Sequence, residues 1–229
     1  AESFEDNIHR ITVAGDSNLS AKDFFVPSDI SSAAFFLVAA SCLPGSELML
    51  KNVGLNPTRR AVVDVLQNFG ADIAVLNKAE ICGEIVGDLL VRGRGALKLK
   101  TKTNKIEGDI IPNLIDEIPV LAIFGTQIEN GLEIRGAREL RVKESDRIAA
   151  TVENLRRMNA SVEEFPDGFK VKKSNLKSAK IESYGDHRIA MAFAVAALFA
   201  DGGETEINNA ECAVVSFPEF FQTLGEIVK

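Results

Sequence analysis

The chain is short of cysteine, of excess positive charge and of long apolar runs, and each shortage closes off a class of function. Cys42, Cys82 and Cys212 are odd in number, widely spaced and form no CxxC pair. Neither a disulfide framework nor a zinc site is expected from them, and a reducing cytoplasm suits them. Lys and Arg number 26 against 33 Asp and Glu, a formal net charge of -7. A general nucleic-acid binder needs a basic surface to displace counterions from phosphates, so nucleic acid is not an expected partner. Any anionic ligand must instead meet a local cluster of cations. The richest apolar run, Ile189 to Ala200, falls short of the roughly 20 residues that cross a bilayer, so no membrane partner is expected. The opening Ala-Glu-Ser-Phe-Glu-Asp reads as neither signal peptide nor initiator, but as a start inside a longer protein.

What remains is a composition of 46% hydrophobic and 26% charged residues, enough for one sizeable globular domain or one domain with an appendage. Three segments share one pattern: an Asp, a short apolar helix, a turn, then an alternating strand. They start at Asp29, Asp116 and Asp186, and the strands that follow are Glu47 to Val53, Leu132 to Arg135 and Glu204 to Asn208. Amphipathic helices are expected over Thr58 to Ala71 and Ser145 to Ala160, with a terminal helix over Phe217 to Val228. Helices apolar nearly all round, like Ile189 to Leu198, must be buried, so three α/β units around a shared core form the economical architecture. The first 26 residues fit poorly. They read as two short strands, Arg10 to Val13 and Phe24 to Val26, with Pro27 as a hinge.

The densest chemical candidate is Arg141-Val142-Lys143-Glu144-Ser145-Asp146-Arg147 at a helix start. Backbone N–H groups and the dipole there favour an anion, and Lys143 and Arg147 can add charge-assisted hydrogen bonds to phosphate or carboxylate. Taken alone, the run reads more readily as acids complementing the dipole with Arg147 paired to one of them. Gly185-Asp186-His187-Arg188 is the second candidate; its plain reading is a capping Asp186 with two solvated neighbours. Asp116 is the third, and a simple N-cap explains it without any catalysis.

The runs at 141–147 and Gly-Asp-His-Arg-Ile-Ala-Met at 185–191 are similar to motifs of the 5-enolpyruvylshikimate-3-phosphate synthases. So are Gly-Leu-Asn-Pro-Thr-Arg at 54–59, Leu-Ile-Asp-Glu-Ile-Pro at 114–119 and Ser-Phe-Pro-Glu-Phe-Phe at 216–221, all in the family's order. The resemblance implies an α/β fold of the inside-out barrel type, with two domains of three βαβαββ units each and substrates in the cleft between them. It places residues 1–26 at the end of the other domain and 27–229 in the C-terminal domain, leaving most of the N-terminal domain as a missing partner. It implies the transfer of the enolpyruvyl group of phosphoenolpyruvate to the 5-hydroxyl of shikimate 3-phosphate in aromatic amino-acid biosynthesis. That reaction is a glyphosate target in the family and needs no redox cofactor or metal.

Residue by residue, the resemblance gives Asp116 as the group that contacts the shikimate hydroxyls and accepts the proton of the attacking one. It gives Lys143 as a contact of shikimate 3-phosphate and Glu144 as the carboxyl that moves a proton to and from the methylene carbon. Arg147 and Arg188 match the two phosphoenolpyruvate arginines, His187 lies beside the second, and Asp186 is left structural. Replacing either arginine is expected to weaken phosphoenolpyruvate binding far more than folding. There are two departures from some members: Glu139 replaces an asparagine, and Val214 and Val215 stand where a lysine occurs, so neither role carries over. A related transferase acting on a UDP-sugar fits the motifs less well. The rival from another class is a noncatalytic anion-binding module from a truncated or split gene.

Overall fold

The computed structural model describes residues 2–5, 8–16, 18, 20–95, 97, 99–100 and 103–228. Strands β1 (Glu2–Glu5) and β2 (Ile8–Ile11) pair as an antiparallel hairpin. The strand expected over Arg10 to Val13 therefore lies nearer the N-terminus, and the one expected over Phe24 to Val26 does not form. Phe24 and Val26 are exposed, with no sheet face to bury them, and ladder contact begins only at Ser28, which bridges Val53 in parallel.

From there the chain runs as three related units. Asp29 accepts hydrogen bonds from the N–H groups of Ser31 and Ser32 and so starts α1 (Ile30–Cys42). That helix leads to β3 (Glu47–Gly54), α2 (Ala61–Asn68), β4 (Asp72–Ile81) and β5 (Glu84–Arg92). The second unit is β6 (Lys105–Ile106), α3 (Ile118–Gln127), β7 (Leu132–Ile134), α4 (Arg147–Arg157), β8 (Val162–Phe165) and β9 (Gly168–Val171). The third is β10 (Lys180–Glu182), α5 (His187–Ala197), β11 (Glu206–Asn208) and, after a short 3-10 turn, α6 (Phe220–Ile227).

Each unit opens with a parallel strand–helix–strand crossover: Ser28 beside β3, β6 beside β7, and β10 beside β11. In the first two units an antiparallel hairpin then inserts its second strand next to the crossover, giving the orders β3-β5-β4 and β6-β7-β9-β8. The repeat seen in the sequence is thus a repeat of topology. The amphipathic helices are shorter than their periodicity suggests. The stretch before α2 is held instead in a turn, where Asn56 Oδ1 accepts from the Thr58 N–H and hydroxyl.

The three crossover helices are the core. Nearly every residue of α1, α3 and α5 is buried, and the helices pack on one another while each sheet covers its own helix. Among the described residues the strands form separate sheets around these helices, so the inside-out character lies in the central helices. Burying Phe35, Leu37, Phe124 and Phe193 stabilises this centre by about 1.5–3 kcal/mol per side chain. The motif at 216–221 is explained here: Phe217 and Phe220 pack edge-on against Phe36 and Phe35, with ring centroids 6.0 and 5.6 Å apart, and clamp α6 to α1. Among the described residues, no helix is long and apolar enough to cross a membrane.

A buried side-chain amide helps to join the second unit to the third. Buried Asn154, on α4, donates from Nδ2 to the carbonyl of Glu182 at 2.8 Å and accepts from the Glu182 N–H at 3.1 Å. Its amide therefore stands in for a neighbouring strand at β10. Because β10 runs directly into α5, this contact sets where the start of α4 meets the start of α5.

Close packing gives a test of the core. A Cβ on Gly125, inside α3, would lie 2.5 Å from Val171 Cγ1 and 2.7 Å from Leu132 Cβ. Gly125→Ala should gain about 1 kcal/mol of helix propensity and lose more, roughly 1–3 kcal/mol, to overpacking. The expected result is a lower urea midpoint with an unchanged slope; a higher midpoint would mean that β7 and β9 yield.

Candidate functional site

The N-termini of α1, α3, α4 and α5 converge, because side chains from the first turns of all four touch. Arg147, the first residue of α4, lies at the centre with only 1% of its side chain exposed. Its Nε donates to Asp186 Oδ2 at 2.8 Å and Nη2 to Asp186 Oδ1 at 3.3 Å, a bidentate pair with a carboxylate that is itself fully buried. Nη1 donates to Asp116 Oδ1 at 3.1 Å, and Nη2 also donates to Glu144 Oε2 at 2.6 Å. One guanidinium thus holds three carboxylates.

Local structure explains why each is there. Tyr184 (φ 56°) and Gly185 (φ 72°) turn the chain through the left-handed region before α5, a conformation that glycine takes freely and tyrosine at a cost of about 1–3 kcal/mol. That turn aims Asp186 back into the cluster as the N-cap of α5, accepting from the Arg188 N–H at 2.9 Å and from Ser145 Oγ at 3.0 Å. Asp186 is a cap, as its plain reading holds, and also the main counter-ion of Arg147. Asp146 caps α4 through the Ala149 N–H and pairs with Arg141, whose guanidinium also reaches Glu164 and the Phe165 carbonyl. Arg141 is therefore a staple between the start of α4 and β8.

Asp116 differs from the other two repeat aspartates. The N-cap position of α3 is Glu117, without a side-chain cap, and Asp116 sits one residue earlier with its carboxylate between two guanidiniums. Oδ1 meets Arg147, and Oδ2 lies 3.6 Å from Arg188 Nη2. The simple capping account of Asp116 does not hold. Arg188 also donates from Nη1 to the Asp116 carbonyl at 3.2 Å and stands 3.7 Å from Glu117 Oε1.

The remaining candidates lie at the margin. Lys143 pairs with Glu139 at 2.6 Å. Glu144 is half exposed and His187 partly buried. Val214 and Val215 are exposed and bring no charge. Sequence reasoning passed over Glu117, Ser31 and Arg59. Buried Glu117 accepts from Ser31 Oγ at 2.5 Å, and that oxygen accepts from Arg59 Nη2 at 2.9 Å. The 54–59 motif was the only signal for Arg59.

Charge states follow from these contacts. Burial works to raise the Asp186 carboxyl, but the hydrogen bonds and charge of Arg147, with help from the Arg188 N–H and Ser145, outweigh it and leave the pKa below its ordinary value. Glu117 goes the other way: burial dominates over Ser31, Arg188 and Arg59, and its pKa is raised. Burial and the charge of Arg188 lower the pKa of His187. Three guanidiniums, each already engaged, and four helix starts meet in this cluster, and both kinds of group interact favourably with carboxylate or phosphate.

Known proteins resemble this chain along most of its length. The family profile described as EPSP synthase (3-phosphoshikimate 1-carboxyvinyltransferase) matches residues 4–224. A curated 3-phosphoshikimate 1-carboxyvinyltransferase of Synechocystis sp. is 52% identical over 96% of this chain and 48% of its own length. One of Koribacter versatilis is 51% identical over 96% of this chain and 51% of its own. The chain spans about half the length of the curated relatives it matches. Among solved structures, EPSP synthase from Acinetobacter baumannii superposes with a TM-score of 0.88 at 35% identity, over 99% of this chain and 51% of that one.

Burial changes what the two arginines should do when replaced. Arg147→Ala leaves Asp186 buried without its partner and should destabilise the fold by about 3–5 kcal/mol. Arg188, nearer solvent and with looser contacts, should cost far less. Urea melts of the two variants check this; equal losses would mean that Asp186 finds another partner. A depressed carboxylate also has a definite pH signature. The stabilisation from Asp186 is fully present above its unfolded pKa of about 3.9 and is lost as pH falls through the lower folded value. Asp186→Asn should be less stable at neutral pH and should flatten the acid limb below about pH 4, read as urea midpoints across an acid series.

Proposed function

We propose, because the chain belongs to the EPSP synthase family, that it carries one wall of a site that transfers the enolpyruvyl group of phosphoenolpyruvate to the 5-hydroxyl of shikimate 3-phosphate. Residues 27–229 form the C-terminal domain of that enzyme. Residues 1–26 belong to the end of the N-terminal domain, which must be supplied as a partner to close the site. The setting is the cytoplasm. The observation that carries this reading is the sharing of Arg147 by Asp116 and Glu144: one cation holds both carboxylates that the chemistry needs.

The reaction is an addition followed by an elimination, and both halves move protons. In the addition, Asp116 takes the proton of the 5-hydroxyl as its oxygen bonds to the central carbon of the enol, while Glu144 delivers a proton to the methylene carbon. In the elimination, Glu144 takes back a proton from the resulting methyl group and inorganic phosphate leaves carrying the proton that Asp116 had accepted, so both carboxyl groups return to their starting state. Arg147 and Arg188 bind the phosphoenolpyruvate carboxylate and phosphate through their planar forks and stabilise charge on the departing phosphate. Lys143 reaches the 3-phosphate of shikimate 3-phosphate on leaving Glu139.

Arg147 is almost without exposed surface, so an incoming anion reaches it only by displacing one of its carboxylates. Glu144, the most exposed of the three at 52%, is the one displaced. Ligand binding therefore releases Glu144 from the cation that fixes it and frees it to reach the methylene carbon.

The test is phosphate release from phosphoenolpyruvate and shikimate 3-phosphate, with this chain alone and with a separately produced N-terminal half. Release in the mixture alone is expected, and Glu144→Gln should lower it by about 10²–10⁴-fold with phosphoenolpyruvate binding retained. No release from halves shown to associate would favour a noncatalytic anion-binding module.

A further inference from the structure

A buried carboxylate next to a reacting one needs its own explanation. Glu117 has 2% of its surface exposed, follows Asp116 directly, and does not cap the helix it precedes. Its contacts run in one direction. An arginine can only donate, so Arg59 Nη2 uses Ser31 Oγ as an acceptor, and the single hydroxyl proton of Ser31 is given to Glu117 Oε1. The same Oε1 lies 3.7 Å from Arg188 Nη1. Two guanidiniums thus flank one carboxylate, Arg59 through a hydroxyl from the α1 side and Arg188 directly from the α5 side.

We propose that Glu117 is a positioning residue: it holds Arg188 in place while Asp116 reacts and, through Ser31, ties Arg59 to the same wall of the site. This rests on the enzymatic reading above. The reason lies in how the acceptors around Arg188 are divided. Apart from Glu117, its guanidinium has the Asp116 carbonyl and the Asp116 carboxylate, and that carboxylate also serves Arg147. When Asp116 turns to the substrate hydroxyl, its hold on Arg188 lapses. Glu117 cannot turn in the same way, because burial and the Ser31 hydroxyl fix it. One carboxylate of the dipeptide reacts and the other stays as the standing counter-ion. Arg59, exposed at its outer face, offsets the charge that Glu117 places among helix starts.

Two measurements separate this inference from the enzymatic reading. In the 229-residue chain alone, the side-chain Nε–H signal of Arg188 is followed by NMR, with Arg147 as internal control. Glu117→Gln keeps the shape and removes the charge; it should broaden or shift the Arg188 signal and leave that of Arg147 in place. Arg59→Gln, at the surface, should do the same more weakly. In the chain combined with its N-terminal half, Glu117→Gln should raise KM for phosphoenolpyruvate by about tenfold, the loss of roughly one charge-assisted contact, with kcat and KM for shikimate 3-phosphate little changed. Glu117→Asp should recover part of that loss. Ser31→Ala and Arg59→Gln together should be no worse than Ser31→Ala alone, since both cut one chain of contacts. An Arg188 signal indifferent to Glu117→Gln overturns the proposal, as does a KM that stays fixed while only thermal stability falls. If the parent mixture releases no phosphate, the enzymatic reading fails, and the Arg188 signal by itself decides whether Glu117 positions it.

Discussion

The structure depends on a bidentate ion pair, Arg147 with Asp186, closed off from water at the meeting point of two helix starts. Desolvating two charges costs several kcal/mol each, and a buried pair is tolerated only when nearly every donor and acceptor is used. Here they are: the guanidinium serves three carboxylates, and Asp186 also accepts from Ser145 Oγ and the Arg188 N–H. The pair ties the second unit to the third at the end where the chemistry lies. The Asn154 amide ties the same two units further along α4. Between those two points, the direction from which α4 approaches α5 is fixed.

From this pair the rest of the site takes its charge balance. Arg59, Arg147 and Arg188 face Asp116, Glu117, Glu144 and Asp186, so the basin holds no surplus of formal positive charge. What favours an anion is the set of helix N-termini, whose dipoles place partial positive charge there even where aspartates cap them. A ligand must also exchange with a carboxylate already in place. The degree of exposure sets which one leaves: Asp186 is sealed, Glu117 nearly so, Asp116 intermediate and Glu144 half open. Four acids of similar intrinsic strength are sorted by environment into two that hold and two that can move.

Much of this was legible in the sequence, for definite reasons. Helices apolar on every face have one home, so the three-unit core followed from α1, α3 and α5; their Asp starts and the alternation in β3, β7 and β11 gave the repeat. The runs at 141–147 and 185–191 read as ordinary capped helix starts when taken alone and stood out through their resemblance to family motifs; they are the starts of α4 and α5, which meet in one cluster. The N-terminal strands were misplaced because Phe24 to Val26 has strand-like residues but no neighbouring edge to pair with. The lengths of α2 and α4 were overestimated because periodicity does not register the Asn56 turn or the Asp146 cap. Glu117 and Ser31 escaped notice because each looks ordinary alone. Their meaning is a contact across 86 positions, which no local pattern reports.

Asp116 and Glu117 show why adjacency in sequence says little about role. A helix turns by about 100° per residue, so at the entry to α3 neighbouring side chains leave in different directions. One falls into the gap between two guanidiniums with part of its surface open; the other falls behind them against a serine of α1. In the proposed reaction the first exchanges its partners for a substrate hydroxyl without unsettling the core. The second cannot move without stranding charge in a dry interior. The proposed reaction requires a site that changes partners around a member that does not, and the second acid, one residue further towards the helix, is placed for that part.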